Sequence, residues 1–176
     1  MKTLLTLACG LTLVGCAGTG GSTAGGTPAA VADLVNASGQ RVGTAAFTEQ
    51  AGTVRIVVEA SGLAPGRHGI HVHAVGKCEP PAFTSAGGHH NPLARKHGLE
   101  SAEGPHAGDL PNLVADAAGK VRYEAATSVT LRDGPTSVFD ADGSALVIHE
   151  KEDDQKTDPT GNSGGRVACG VIVKKP

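Results

Sequence analysis

Apolar and polar residues alternate along much of the chain from residue 31 onward. The segment Thr53–Ala60 places Val54, Ile56 and Val58 among polar or charged positions, which is the two-residue period of a half-buried β-strand. The 3.6-residue period of an amphipathic helix does not persist over ten residues anywhere, and no internal repeat is present. The pattern predicts about eight strands in an all-β sandwich or barrel. The other predicted strands are 31–36, 41–47, a histidine-rich strand within 67–78, 113–116, 121–126 (extended or followed by 128–131), 144–149 and 166–173.

The histidine-rich strand contains the sequence HGIHVH at residues 68–73. Successive side chains of a strand point to opposite faces, so His71 and His73 share one face. Ile70 and Val72 share the other face, which suits a buried core. Two imidazoles at alternate positions lie roughly 7 Å apart, close enough to bind one metal ion. Two surface histidines are the simpler alternative, so this motif alone does not establish a metal site.

Two long stretches show neither period and interrupt the strands. The first runs roughly over residues 78–108, is rich in proline and glycine, and holds four of the eight histidines. The second is acidic and covers residues 150–165. Irregular loops of this length in a compact domain are usually functional or disordered. The histidines favour a functional role for the first one.

The composition limits the fold further. With 176 residues, the chain suffices for one domain with a substantial core and is short for two. It has 26 Gly and 10 Pro but three Phe, one Tyr and no Trp, so we expect a core built from Val, Ala, Leu and Ile. The formal charge is −2 and long basic runs are absent, which argues against nucleic acid as a partner.

Residues 1–15 have the pattern of an export signal, with Lys2 ahead of an apolar stretch that is too short to span a bilayer. The stretch ends in LVGC, which resembles the lipobox of bacterial lipoproteins, where Cys16 is acylated after cleavage. An ordinary cleavable signal is the alternative. Residues 16–28 are a Gly/Ser/Thr-rich tether, and residues 29–176 form the globular domain. We therefore expect an exported, periplasmic or cell-envelope protein that touches a membrane only through a lipid on Cys16.

The globular domain contains two cysteines, Cys78 and Cys169. In an oxidising compartment such a pair most simply forms a disulfide. This disulfide would join the first long stretch to the last strand and close about 90 residues, for which loop-closure entropy predicts roughly 4–5 kcal/mol of stabilisation. Two free buried thiols are the alternative.

Six histidines and one aspartate form a candidate set of metal ligands. They exceed the needs of one structural ion, and imidazole suits both zinc and copper. A tetragonal set of nitrogens favours Cu(II), whereas a tetrahedral set of three histidines and an aspartate favours zinc. The full set serves both ions if one imidazole bridges them. The candidates are His71, His73, His89, His97, His106, Asp109 and His149.

Six short motifs, in this order, resemble those of copper/zinc superoxide dismutases of the exported bacterial type. The resemblance covers about residues 31–174 and implies an eight-stranded antiparallel Greek-key sandwich or barrel with two long functional loops. The motifs are HGIHVHAVG (68–76), TSAGGHHNP (84–92), RKHG (95–98), HAGDLPNL (106–113), LVIHEKEDD (146–154) and GGRVACGV (164–171).

The resemblance implies a copper ion and a zinc ion that share one histidine. The implied copper ligands are His71, His73, His89 and His149. The implied zinc ligands are His89, His97, His106 and Asp109.

Four further residues match structural positions of this family. Asp153 matches the carboxylate that links a copper histidine to a zinc histidine, and such an acceptor orients imidazoles. His68 matches a histidine that packs under the site without binding metal. Cys78 and Cys169 match the family's intramolecular disulfide.

The implied reaction is the disproportionation of superoxide to dioxygen and hydrogen peroxide. Copper would cycle between two oxidation states, zinc would be structural, and the bridging His89 would return a proton. Arg166 matches the arginine beside the copper that attracts the anion. Lys151 and Thr160 match positions that line its approach.

Two other functions remain open at this point. An exported module that buffers copper without turnover would need the copper ligands but neither Asp109 nor Arg166, and both are present. A dismutase-like structural domain with decayed ligands is disfavoured because no ligand is missing. One residue departs from the family pattern: His90 follows the bridging histidine where an aromatic residue is usual, and we interpret it as a non-ligand. The oligomeric state, monomer or homodimer, stays open.

Overall fold

The computed structural model describes residues 29–175. The predicted export signal and tether lie outside these residues. Within them the chain forms strands, one short 3₁₀ turn at Thr84–Ala86 and no α-helix, so no helix long and apolar enough to cross a membrane is found there. The strands are β1 (Ala30–Asn36), β2 (Arg41–Gln50), β3 (Thr53–Ala60), β4 (Gly66–His68), β5 (Ile70–His73), β6 (Leu113–Ala115), β7 (Val121–Thr127), β8 (Ala145–His149), β9 (Arg166–Val171) and β10 (Val173–Lys174).

The strands form one curled antiparallel sheet in the order β5-β8-β9-β1-β2-β3-β7, with β10 added beside β1. β4 and β6 pair with each other as a separate two-stranded antiparallel sheet. Hairpins join β1 to β2 and β2 to β3, whereas β3–β7, β9–β1 and β5–β8 pair across long connections. These crossings give the Greek-key arrangement, so the predicted all-β fold is confirmed.

The core lies inside the curled sheet and follows the alternation in the sequence. On β3, Val54, Ile56 and Val58 are buried, as the two-residue period predicts. On β5, Ile70 and Val72 join the same core cluster. His71 and His73 lie on the other face of β5 and are buried as well. Since water is excluded from both faces, this strand has to be covered from outside by loops.

The number of strands differs from the prediction because contacts outside the strand decide where pairing stops. The predicted histidine-rich strand is divided at Gly69, whose N–H donates to Lys151 and whose carbonyl accepts from His149. The last predicted strand is divided at Ile172, whose N–H donates to Ser144; β9 pairs with the end of β1, whereas β10 pairs with its beginning. Residues 128–131 form only an isolated bridge, from Thr130 to Ser137.

Two loops cover the outer face of β5 and β8. The first loop (residues 74–112) connects β5 to β6, and the second loop (residues 150–165) connects β8 to β9. A disulfide between Cys78 and Cys169 joins the first loop to β9, so the predicted pairing is confirmed. The disulfide and the covering loops together place the histidines in a closed layer between loop and sheet.

Candidate metal centre

Four buried histidines from three parts of the fold converge on one point. His71 and His73 come from β5, His149 ends β8, and His89 comes from the first loop. One ring nitrogen from each lies within 4.8 Å of the corresponding nitrogens of the others. We call these four residues the copper-type group, because imidazole nitrogens in one set are suited to Cu(II).

The outer hydrogen bonds of this group determine which ring nitrogen faces inward. Nδ1 of His73 lies 2.9 Å from the carbonyl oxygen of Gly87, and Nδ1 of His149 lies 3.4 Å from that of Gly164. An imidazole that donates from Nδ1 keeps its lone pair on Nε2. The two Nε2 atoms lie 3.3 Å apart, so both lone pairs point into the centre of the group.

The other two members of the group each have an inward nitrogen that lacks a partner. Nε2 of His71 lies 2.5 Å from Oδ2 of Asp153, and Nδ1 of His89 lies 3.0 Å from Oδ1 of Asp109. The remaining nitrogens, Nδ1 of His71 and Nε2 of His89, are buried without a hydrogen-bond partner among the described residues. Because buried polar atoms are nearly always satisfied, these two atoms fit a metal ion as their missing partner.

A second group shares His89 and adds His97, His106 and Asp109, all buried. Oδ1 of Asp109 lies 3.0 Å from Nδ1 of His89, 3.0 Å from Nδ1 of His97 and 3.4 Å from Nδ1 of His106. Nδ1 of His106 is also 3.4 Å from Nδ1 of His89. Tetrahedral zinc with bonds of about 2.0–2.1 Å separates its ligand atoms by roughly 3.3 Å. The spacing therefore fits zinc, and we call these four residues the zinc-type group.

One carboxylate connects the two groups. Asp153, on the second loop, accepts from His71 through Oδ2 and lies 3.1 Å from Nε2 of His97 through Oδ1. Gly161 packs directly against it, since a Cβ there would come within 1.9 Å of Oδ1. Such an outer acceptor fixes the orientation of both rings.

The sequence pattern of one known family matches residues 41–172, and its description is copper/zinc superoxide dismutase (SODC). The chain belongs to the copper/zinc superoxide dismutase family. The family predicted from the sequence is thus confirmed, and with it copper and zinc as cofactors and superoxide dismutation as the activity.

Individual dismutases and dismutase-like proteins support this assignment. Superoxide dismutase [Cu-Zn] 1 of Aquifex aeolicus is 49% identical over 144 residues, which cover 80% of this chain and 85% of the relative. The superoxide dismutase [Cu-Zn] of Deinococcus radiodurans is 38% identical and covers 94% of this chain and 92% of its own. The crystal structure of a SOD-like protein from Bacillus subtilis is 40% identical, covers 81% of this chain and 97% of that one, and superimposes with a TM-score of 0.77.

In this dismutase, burial keeps the copper-type histidines uncharged. It lowers the pKa of His89 to about 4 and that of His149 to about 3, and it also lowers the pKa of His71 and His73. At neutral pH these rings are therefore ready to bind a metal. Burial likewise lowers the pKa of His97, but its hydrogen bonds with two carboxylates outweigh burial and raise the pKa to about 9.

These pKa values predict how the metal-free protein responds to acid. Below pH 6.5 the unfolded chain protonates His89 and His149, whereas the folded chain does not until about pH 4 and 3. Stability is therefore lost as the pH falls from 6.5 towards 3. His97 acts oppositely: it stabilises the fold below pH 6.5 and loses this effect as the pH rises through 9. The lowered groups outnumber it, so we expect the urea midpoint of the metal-stripped protein to fall between pH 7 and pH 4. A constant or rising midpoint would contradict this.

Two other histidines lie outside both groups. Nδ1 and Nε2 of His68 lie 2.8 Å from the carbonyl oxygens of His149 and Ala64 respectively, which suits the predicted packing role. His90 is buried and belongs to neither metal group, and its Nε2 has no hydrogen-bond partner among the described residues. This placement agrees with its interpretation as a non-ligand.

The residues predicted to guide superoxide lie on the second loop and at the start of β9, which follows it. Arg166 is partly buried and donates to the carbonyl oxygens of Phe83 and Gly87, at 2.6 Å each. Thr160 is exposed and lines an opening beside the zinc-type group, and Lys151 is exposed on the same second loop. Their roles toward the substrate stay predictions.

Sequence reasoning missed two contacts that hold the carboxylates in place. The side-chain amide of Asn112 donates to the carbonyl of Asp153 and accepts from its N–H, both at 2.8 Å. The N–H of Gly98 donates to Oδ2 of Asp109 at 2.8 Å. Asn112 lies inside the HAGDLPNL motif, but no periodicity distinguishes it, because its partner is 41 positions away.

Proposed function

We propose that this chain converts two superoxide anions and two protons into dioxygen and hydrogen peroxide, with the copper-type group as copper ligands and the zinc-type group as zinc ligands. The observation that carries the proposal is that the two groups share His89. Through this shared imidazole the chain would hold two ions side by side, one among the four histidines and the other with Asp109. A copper-buffering module needs only the first group, so Asp109 and its three histidine neighbours disfavour that alternative.

When bound, copper supplies a one-electron couple for superoxide, and zinc supplies fixed positive charge beside it. The chain itself provides orientation and a site for a proton. Nε2 of His89 is buried, lacks a hydrogen-bond partner among the described residues, and faces the copper-type group. This nitrogen is therefore the atom of the chain that would hold either copper or a proton.

The chain must also attract an anion although its own charge is negative. The formal charge is −2, and removal of residues 1–15 takes away Lys2 and no acid, which leaves −3. Attraction therefore has to be local, and screened potentials act over about 8–10 Å at physiological salt. Arg166 suits this role because its guanidinium donates to a backbone carbonyl beside the copper-type group. This carbonyl, of Gly87, also accepts from His73, which is a member of the group.

Substituting Arg166 tests steering separately from metal binding. We expect Arg166→Ala to keep both metals, since His73 retains its own bond to Gly87, and to lower the rate constant roughly tenfold or more. The dependence of the rate on ionic strength should flatten, because salt screens a steering field. Arg166→Lys should recover part of the rate, since lysine keeps the charge but lacks the planar fork. An activity that falls only in proportion to the copper lost would mean that Arg166 is structural.

The function itself is tested by metal analysis coupled to a superoxide-decay assay on residues 29–176. We expect one copper and one zinc per chain, with decay that tracks the copper content. A protein that binds copper tightly and leaves superoxide decay at the background rate would be the buffering module instead.

We also propose that the mature protein is exported and anchored in the cell envelope through a lipid on Cys16. The LVGC sequence and the Gly/Ser/Thr-rich segment that follows support this. Cys16→Ala should move the protein from the membrane fraction to the soluble fraction. A chain that begins at Ala29 should keep its melting temperature, because Ala29 still pairs with Phe47 and Lys175.

A homodimer stays a prediction that sedimentation of this shortened chain would decide.

A further inference from the structure

A histidine that binds a metal through one ring nitrogen nearly always donates its other N–H to a carboxylate, a carbonyl or water. In the two ligand groups every histidine except the shared His89 has such an outer nitrogen. Four of these outer nitrogens have acceptors within hydrogen-bond distance. The pairs are His73 with Gly87, His149 with Gly164, His71 with Asp153, and His97 with Asp153.

His106 is the fifth of these histidines. Its Nδ1 lies 3.4 Å from both Oδ1 of Asp109 and Nδ1 of His89, so Nδ1 faces the zinc-type group. Nε2 therefore points outward and carries the proton when Nδ1 binds metal. It lies 3.8 Å from Oδ1 of Asp158, on the second loop.

Asp158 is held in place from the first loop. The same Oδ1 accepts the backbone N–H of His97 at 2.7 Å, and Oδ2 lies 3.6 Å from Nζ of Lys96. Its bond with the backbone of His97 also lowers the pKa of the Asp158 carboxyl. One oxygen thus faces two zinc-type histidines at once, through the backbone of one and the ring of the other.

The neighbourhood of this carboxylate is open to solvent. Asp158 and His106 both line the opening beside the zinc-type group, and the Asp158 side chain is 40% exposed. Water is therefore the competing acceptor for Nε2 of His106. A carboxylate makes a stronger hydrogen bond than water does to a ring whose positive character rises on binding zinc.

We infer that Asp158 is a positioning residue of the zinc site, whose Oδ1 aligns His106 through its Nε2–H and His97 through its backbone. The inference rests on the proposed zinc ligands and extends them outward. Each non-bridging zinc histidine then has a carboxylate partner, Asp153 for His97 and Asp158 for His106. Since neither contact reaches the copper-type histidines directly, Asp158 acts on the retention of zinc rather than on copper.

The test measures zinc release from the copper- and zinc-loaded protein into a chromophoric chelator. We expect Asp158→Ala to weaken zinc retention by about 10–100-fold, the usual effect of losing such an outer partner. Asp158→Asn, which keeps an oxygen acceptor in nearly the same shape but loses the charge, should fall between this variant and the parent. Asp154→Asn is the matched control, because among the described residues the Asp154 carboxylate bonds within its own loop, to residues 156, 157 and 162. It should release zinc at the parental rate.

A second measurement separates positioning from a general loss of structure. In the zinc-loaded parent, the Nε2–H of His106 should give a slowly exchanging NMR signal, and in Asp158→Ala this proton should exchange rapidly while the signal of His97 persists. Parental zinc release and parental exchange in both Asp158 variants would overturn the inference and assign the acceptor role to water. His106→Ala tests the underlying zinc site: if it keeps its zinc, the proposed ligand set is wrong, whatever the Asp158 variants do.

Discussion

Replacing His71 with alanine is expected to abolish superoxide turnover while zinc is largely retained. The His71 side chain is fully buried, and its unpartnered Nδ1 belongs to the copper-type group but not to the zinc-type group. Loss of an outer-shell partner alone weakens metal binding by about 10–100-fold, so loss of a ligand should exceed this. The zinc-type group keeps all four of its members, and Asp153 still bonds to His97. Copper and zinc contents and superoxide decay should be measured on the same sample.

The matched control is a buried histidine outside both groups. His90 is as buried as the ligands and belongs to neither group, so His90→Phe should keep both metals and most of the activity. The assignment of His71 would be contradicted by a His71→Ala protein that retains copper and turnover. Copper loss in His90→Phe would contradict the interpretation of His90 as a non-ligand.

Removing the disulfide is expected to cause the largest loss of stability. Cys78 and Cys169 are 91 residues apart. For a loop of this size, closure entropy predicts a loss of about 4–5 kcal/mol in the free energy of unfolding, an upper figure if the unfolded chain retains structure. Alanine is the replacement at both positions, because Cys169 is buried in an apolar cluster beside Phe83 and Val147, where a new hydroxyl would be desolvated.

Urea unfolding of the double alanine variant and of the reduced parent should give the same loss of stability. The comparison should be made on metal-stripped protein, because bound metal adds its own stabilisation to the folded state. A difference from the oxidised parent below about 1 kcal/mol would mean that loop-closure entropy is not what this bond contributes.

The sequence by itself predicts the class of fold and the identity of the candidate ligands. Alternation is a local property, and on β3 and β5 it coincides with burial because the backbone of a strand presents alternate side chains to opposite faces. The candidate ligands were found because imidazole and carboxylate are chemically distinctive, and because the motifs around them resemble one family. The disulfide was predictable since the globular domain contains only two cysteines.

Tertiary structure decided where strands end and which atoms face the metals. The division at Gly69 depends on Lys151 and His149, which lie some 80 positions along the chain. Whether a histidine presents Nδ1 or Nε2 depends on which nitrogen meets an outer acceptor, and those acceptors come from distant loops. Periodicity does not distinguish Asn112 or Asp158, because a polar loop residue acquires its role only from the backbone or ring that the fold brings to it. The period of apolar residues shows which face of a strand is buried. A metal site depends instead on the directions of individual lone pairs. These directions are set only when the two loops pack on the sheet.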